Sequence, residues 1–420
     1  MNDMKLLLAG IHDCPCGKDH NSPIDFVEIG KDALNTLPAI CENYRHILLV
    51  ADQNTYAVCG KAVEEILSAS ITAKLVYQSG DGVVIPDEAA IAQMEAVLQP
   101  ETDLILGVGS GVINDLCKYV SFFHQLPYYI VATAPSMDGY ASTGAAMILK
   151  GMKETVSARC PKAIVADTAV LKNAPLEMLQ AGYGDIVGKY SCLNDWKLAA
   201  LLRDEYFCQK VYDITYHETD RVKALAKGIL NRDEDAVGAL MEALVIVGIA
   251  MAYVGNSRPA SGSEHHLSHY FEITGILNGE PYLCHGIDVL YSAVATAAVR
   301  EKLVAAEPGT FTFDRNAWEQ TIRKLYTASA DEVIKLQDKM GWYVVDDSEA
   351  VHSRWDAARK LLAEAPTEQE MLDMVTAIGL DYADFVRLYG QQKIEDAVSY
   401  AKDLKDRYTV LWLAYKYFGG

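Results

Sequence analysis

The chain has 420 residues, half of them hydrophobic, which is more than one ordinary core requires, so two domains are expected. A formal charge of −20 excludes a nucleic-acid partner, because backbone phosphates are bound by basic surface that releases counterions. Nine cysteines, an odd number spread over the whole length, read as reduced thiols, and MNDMKLLLAGIHD has too short an apolar run for a secretory leader, so a cytoplasmic protein is expected.

The first distinctive stretch is HDCPCGKDH, in which Cys14, Cys16 and His20 are spaced to bind a metal but show no clear fourth ligand. It competes with a plain polar turn. Short β-branched apolar runs follow at His46 to Ala51, Ala73 to Tyr77, Leu104 to Val108 and Tyr128 to Ala132. Helical patterns at Thr55 to Ser68 and Asp87 to Leu98 alternate with them, which predicts right-handed crossovers and a mostly parallel sheet.

Ligands on such sheets bind beyond the carboxyl ends of the strands. After the run ending at Val108 come Gly109, Ser110, Gly111, Val112, Ile113, Asn114 and Asp115, a glycine-containing turn opening an apolar helix. Backbone amides there can approach a pyrophosphate, although tight turns of no function look similar. Asp52 follows another strand and is placed either to accept ribose hydroxyls or simply to turn the chain. After the run ending at Ala132 lies the hydroxyl-rich loop TAPSMDGYAS, with Asp138 as a substrate contact or a turn former.

From about Asp167 the strand signal stops and long amphipathic patterns take over, with a capping box at Thr367 to Glu370. The expected organisation is an α/β domain at 1–167 with a Rossmann-like sheet, an all-α domain at 168–420, and an active site in the cleft between them. The apolar run Ala236 to Val254 approaches membrane-spanning length but contains Glu242 and two glycines, and reads as a buried helix of the all-α domain rather than a membrane span. A helix is expected to begin near AGYGDIVGKY, with Asp185 in its first turn after a Gly-Tyr-Gly turn.

The stretch SRPASGSEHHLSHYFEITGILNGEPYLCHGIDV holds four of the ten histidines. His265 and His269 share one helical face, and His285 precedes a new apolar helix that a turn brings back beside them. Two histidines and a carboxylate suit zinc, nickel or ferrous iron and leave positions open for a substrate oxygen. Asp185 is the carboxylate in the fitting place. The four-residue spacing to His269 favours His265 over the adjacent His266.

With these segments gathered, the chain resembles the sn-glycerol-1-phosphate dehydrogenase family, part of a larger group with glycerol dehydrogenases, iron-containing alcohol dehydrogenases and dehydroquinate synthases. The resemblance runs from about Phe26 to Ala295 and rests on TAPSMDGYAS, GYGDIVGKY, SRPASGSEHHLSH and CHGIDV. The nucleotide turn GVGSG departs from the family's triple glycine. The resemblance implies one divalent metal on Asp185, His265 and His285, with His269 and Asp138 facing the substrate. It further implies that Asp52, Gly111 to Asp115, Thr133, Ser136 and Ser142 contact NAD or NADP, and that the protein is a homodimer.

The expected reaction is reduction of dihydroxyacetone phosphate to glycerol 1-phosphate, by hydride from the nicotinamide to a ketone polarised by the metal. Lys153, Arg159 and Lys189 lie near the motifs and are candidates for the phosphate. A glycerol dehydrogenase, a lyase resembling dehydroquinate synthase, and a non-catalytic nucleotide- and metal-binding protein are the competing readings.

Overall fold

The computed structural model describes residues 3–78, 80, 83–149 and 152–419, the side chains of 152 and 153 excepted. Six strands form one parallel sheet: β1 (Phe26–Gly30), β2 (Ile47–Asp52), β3 (Ile71–Tyr77), β4 (Leu104–Gly109), β5 (Tyr128–Ala132) and, after a hairpin of β6 (Gly144–Leu149) and β7 (Met152–Ser157), β8 (Ala163–Asp167). The order is β1-β8-β5-β4-β2-β3. Every residue of β4, β5 and β8 is buried, as is every residue of β2 before Asp52, which is why these strands are continuous apolar runs rather than alternating ones.

The four strands expected from the sequence are present, β5 with the expected bounds and the others within two residues of theirs. The expected helices correspond to Glu88–Val97 and to a helical stretch from Gln53 to Ile66 that passes through a π-helical segment at Tyr56–Gly60. β1, β8 and the hairpin are additional. AIVAD is five buried residues long, too short to show a period, and its strand character comes from parallel pairing with β1 and β5 on its two sides.

Secondary structure becomes all-helical after Asp167, but the chain compacts on other lines. One unit comprises Met1–Ile186 with Asp220–Asn256, and the other Val187–Thr219 with Ser257–Gly420. The helices Leu176–Val187 and Glu234–Val254 therefore belong, almost wholly, with the sheet. Glu234–Val254 is the one helix among the described residues long and apolar enough to cross a membrane, and 78% of its most apolar window is buried in the protein. It is a core helix as expected, of the sheet-bearing unit rather than of an all-helical domain.

The Gly-Tyr-Gly segment does not start a helix. Leu176–Val187 runs straight through it, and Asp185 sits in the last turn, not the first. Glycine is required at 182 for packing: a Cβ there would stand 1.9 Å from the carbonyl oxygen of Pro135. The same need recurs at Gly248, where a Cβ would meet Ala141 at 2.6 Å and the Asp138 carbonyl oxygen at 2.9 Å. Two helices thus clamp the loop after β5 at contact distance from its backbone. The capping box at Thr367 and Glu370 is formed as expected, heading the helix Glu368–Ala377.

Candidate metal and nucleotide sites

In the helical unit, the histidines stand on Ser263–Asn278 and at the first position of His285–Val304. The rings of His265 and His285 have centroids 5.2 Å apart, against 5.7 Å for His269 to His285 and 6.1 Å for His265 to His269. A metal ~2.0 Å from each ligating nitrogen and tetrahedral in geometry holds two imidazole centroids ~5 Å apart. The pair His265 and His285 fits that spacing, and His269 stands farther off from both. The donor set therefore suits a divalent ion with two imidazoles as ligands and the third beside them.

The neighbouring residues explain why SGSEH must read as it does. A Cβ at Gly262 would lie 2.6 Å from the Cys192 Cα and 2.7 Å from Asp195 Oδ2. Asp195, fully buried, accepts from the Ser263 and Val410 backbone amides, and the Arg300 guanidinium is 3.2 Å away. Arg300 also donates to Ser191 and Ser263, so the start of the histidine helix is fixed by a satisfied buried ion pair.

Glu264 is fully buried, and its Oε1 accepts from the Gly262 amide and pairs with His265 Nδ1 at 2.7 Å. Burial opposes the charged form, but the bonds from His265 and Gly262 and the nearby Lys189 charge hold its carboxyl below the usual carboxylate range. With Nδ1–H turned to Glu264, His265 presents Nε2 outward, the arrangement that carboxylates impose on ligating histidines. His266 is fully buried, and desolvation first, then the charges of Arg407, Lys405, Arg258 and His265, pushes its pKa far down. Neither of its ring nitrogens has a hydrogen-bond partner among the described residues, so it is a neutral packing residue.

In the sheet-bearing unit, Asp185 is fully buried and its Oδ2 accepts from the Asp138 backbone amide at 2.9 Å. Asp138 begins a turn of 3-10 helix, Asp138–Ala141, whose Tyr140 hydroxyl donates to the Ala134 carbonyl. The loop is fastened from below by Lys118. This fully buried lysine donates to the carbonyls of Gly139 (2.8 Å) and Gly144 (2.7 Å) and to Ser142 Oγ (3.1 Å), with Asp115 Oδ1 at 3.4 Å. Sequence reasoning missed Lys118 and Glu264. The available signals were a lysine two turns beyond Gly111 in an apolar helix and an acid directly before the histidine.

The glycine turn divides into two roles. A Cβ at Gly109 would lie 2.6 Å from Ile113 Cβ, and one at Gly107 would lie 2.9 Å from Cys117 Sγ, so these glycines let the helix Gly111–Phe123 lie close on β4. Ser110 makes no side-chain cap to that helix and its first turn has no acid, which leaves the amides of Gly111 and Val112 suited to an anion. Ile113 and Asn114 are buried, and Asn114 Nδ2 reaches the Gly139 carbonyl at 3.4 Å. Thr133 continues from β5 and donates its amide to the Gly109 carbonyl, while Ser136 lies half-buried in the same loop. Ser142 donates to the Gly139 and Gly144 carbonyls. Asp52 caps the helical stretch after β2, its Oδ1 accepting from the Asn54 and Thr55 amides, and its Oδ2 lies outside that cap.

Of the phosphate candidates, Arg159 Nη2 donates to the Phe122 carbonyl and its guanidinium lies over the Phe122 ring. Lys189 is fully buried in the helical unit, and the side chain of Lys153 lies outside the described residues.

Residues 28–175, which carry β2 to β5 and the glycine turn, match the model of the iron-containing alcohol dehydrogenases. Among solved structures, an archaeal halo-thermophilic Red Sea brine pool alcohol dehydrogenase shares the fold at TM-score 0.61 with 13% identity, over 94% of this chain and 97% of that one. The glycerol-1-phosphate dehydrogenase (NAD(P)+) of Halalkalibacterium halodurans is 34% identical over 318 residues, 74% of this chain and 80% of its own length. That of Bacillus licheniformis is 29% identical over 410 residues, 96% of this chain and 92% of its own. The chain belongs to the glycerol-1-phosphate dehydrogenase family.

Proposed function

We propose that the protein reduces dihydroxyacetone phosphate to sn-glycerol 1-phosphate with NADH or NADPH, using one divalent ion held by Asp185, His265 and His285. The observation that carries the reading is the convergence of His265 and His285, 5.2 Å apart, with His265 oriented by the buried Glu264. The substrate follows from family membership, since the named relatives act on glycerol 1-phosphate.

A divalent ion at these ligands supplies the positive charge that polarises a ketone oxygen, and the nicotinamide supplies the hydride. The protein's own residues do the rest. The amides at Gly111 and Val112 hold the pyrophosphate, Asp52 Oδ2 accepts from a ribose hydroxyl, and Thr133, Ser136 and Ser142 line the strand end. Ser142 also holds the turn that carries Asp138. A protonated His269 ring would give the ketone oxygen the proton it needs to become the alcohol. By the family resemblance Asp138 is the candidate contact for a substrate hydroxyl, and Lys189 is the candidate for the phosphate. The protein is placed in the cytoplasm as a homodimer, on family resemblance, and sedimentation at the mass of one chain would remove the dimer.

One mole of NADH should disappear for each mole of glycerol 1-phosphate formed from dihydroxyacetone phosphate. A lyase related to dehydroquinate synthase would leave NADH unchanged and release phosphate, and a non-catalytic binding protein would do neither.

A further inference from the structure

Residues 11–20, just after the helix Met4–Ala9, form a closed loop. Ile11 and His20 exchange both backbone hydrogen bonds, at 2.8 and 2.9 Å, and the Gly17 amide donates to the Cys14 carbonyl. Gly17 has φ +82° and Gly10 φ +88°, a backbone that favours glycine, and a Cβ at Gly10 would strike the His20 carbonyl oxygen at 2.5 Å. The loop turns three side chains to one point. Cys16 Sγ lies 3.3 Å from His20 Nε2, and the ligand atoms of Cys14, Cys16 and His20 all lie within 4.8 Å of one another. Cys14 and His20 are buried.

We propose that Cys14, Cys16 and His20 bind a zinc ion as a structural site separate from the catalytic metal. A tetrahedral zinc ~2.3 Å from sulfur and ~2.0 Å from nitrogen spaces its ligand atoms about 3.5–4 Å apart, close to the arrangement found. His20 is already oriented for the role: its Nδ1 lies 2.9 Å from the Tyr253 carbonyl oxygen, which fixes the tautomer that leaves Nε2 towards the cysteines. Tyr253 belongs to the helix Glu234–Val254, and its hydroxyl donates to the Leu7 carbonyl. The site therefore fastens the start of the chain to the central helix of the sheet-bearing unit. It does not depend on the reading of Asp185, His265 and His285.

Three protein ligands leave one tetrahedral position for a further donor. Burial pushes the thiols of Cys41 and Cys59 up to about 12 and that of Cys160 to about 11, and raises Cys117 further, so these are held as neutral thiols. Cys192 donates to the Lys189 and Pro259 carbonyls.

Cobalt(II) distinguishes this site from the catalytic one, because only thiolate ligands give a sulfur-to-cobalt charge-transfer band in the near ultraviolet. After chelation and reconstitution with cobalt, the full-length protein should show the band. Cys14→Ser and Cys16→Ser should each lose most of it, and Asp185→Asn should keep it. A cobalt-loaded protein without the band, or serine variants that retain it in full, would overturn the proposal. Should the serine variants fail to accumulate, thiol titration of the native protein serves instead. Bound metal must shield at least two more cysteines from a thiol reagent than the chelated protein does, and equal counts reject the site.

Discussion

His265→Ala should weaken metal binding at least 100-fold and lower kcat/KM about a thousandfold, the equivalent of about 4 kcal/mol of transition-state stabilisation. The magnitude follows from losing one of two imidazoles whose rings stand at ligating distance, the one that the bond to Glu264 orients. As a member of the proposed ligand set, Asp185→Asn should behave alike, since it exchanges a fully buried carboxylate, held at one oxygen by the Asp138 amide, for a neutral amide. The informative comparison is His266→Phe. His266 is the next residue in sequence but is buried, neutral and without a hydrogen-bond partner among the described residues, so an apolar ring should leave the metal content unchanged. Elemental analysis after dialysis reads all three variants. Metal lost from the His266 variant and kept by the His265 variant would shift the site by one residue.

Lys118→Met should destabilise the protein by about 3 kcal/mol, since it removes a buried ammonium's bonds to two carbonyls and a hydroxyl, and Ser142 Oγ has a single proton to offer the two carbonyls. For a domain of some 200 residues that corresponds to a fall in Tm of roughly 6–12 °C. The cofactor KM should rise too, because the same ammonium ties the helix Gly111–Phe123 to the turn that carries Asp138. Metal affinity of the two histidines should change little. Differential scanning calorimetry with a KM measurement checks both, and a variant within about 0.5 kcal/mol of the parent would show that the loop is held by its helix contacts alone.

The parts of this protein that were legible in its sequence are those specified by local pattern. β2, β4 and β5 are long enough and apolar enough to declare themselves, and the four-residue spacing of His265 and His269 fixes a helical face without any knowledge of the fold. β8 was not legible, because AIVAD, equal in length to β5, has only Ile164 and Val165 as strand formers where YYIVA has four, and pairing with β1 and β5 supplies the rest. Gly182 misled for a related reason. Glycine in a sequence reads as a break, whereas here it admits the Pro135 carbonyl to the side of a continuous helix. Lys118 was missed because the carbonyls and hydroxyl it satisfies lie more than twenty residues away, and Glu264 because its work, a bond to the adjacent His265, shows only once both are buried.

The central claim is that the substrate is the phosphorylated ketone, and the metal ligands cannot decide it, because a glycerol dehydrogenase would hold its ion in the same way. The deciding measurement compares kcat/KM for dihydroxyacetone phosphate and for dihydroxyacetone under identical metal and NADH. A charged hydrogen bond to the phosphate contributes about 1.5–3 kcal/mol, so the account predicts a preference for the phosphate ester of at least about 10- to 150-fold. Equal values, or a preference for dihydroxyacetone itself, would contradict it.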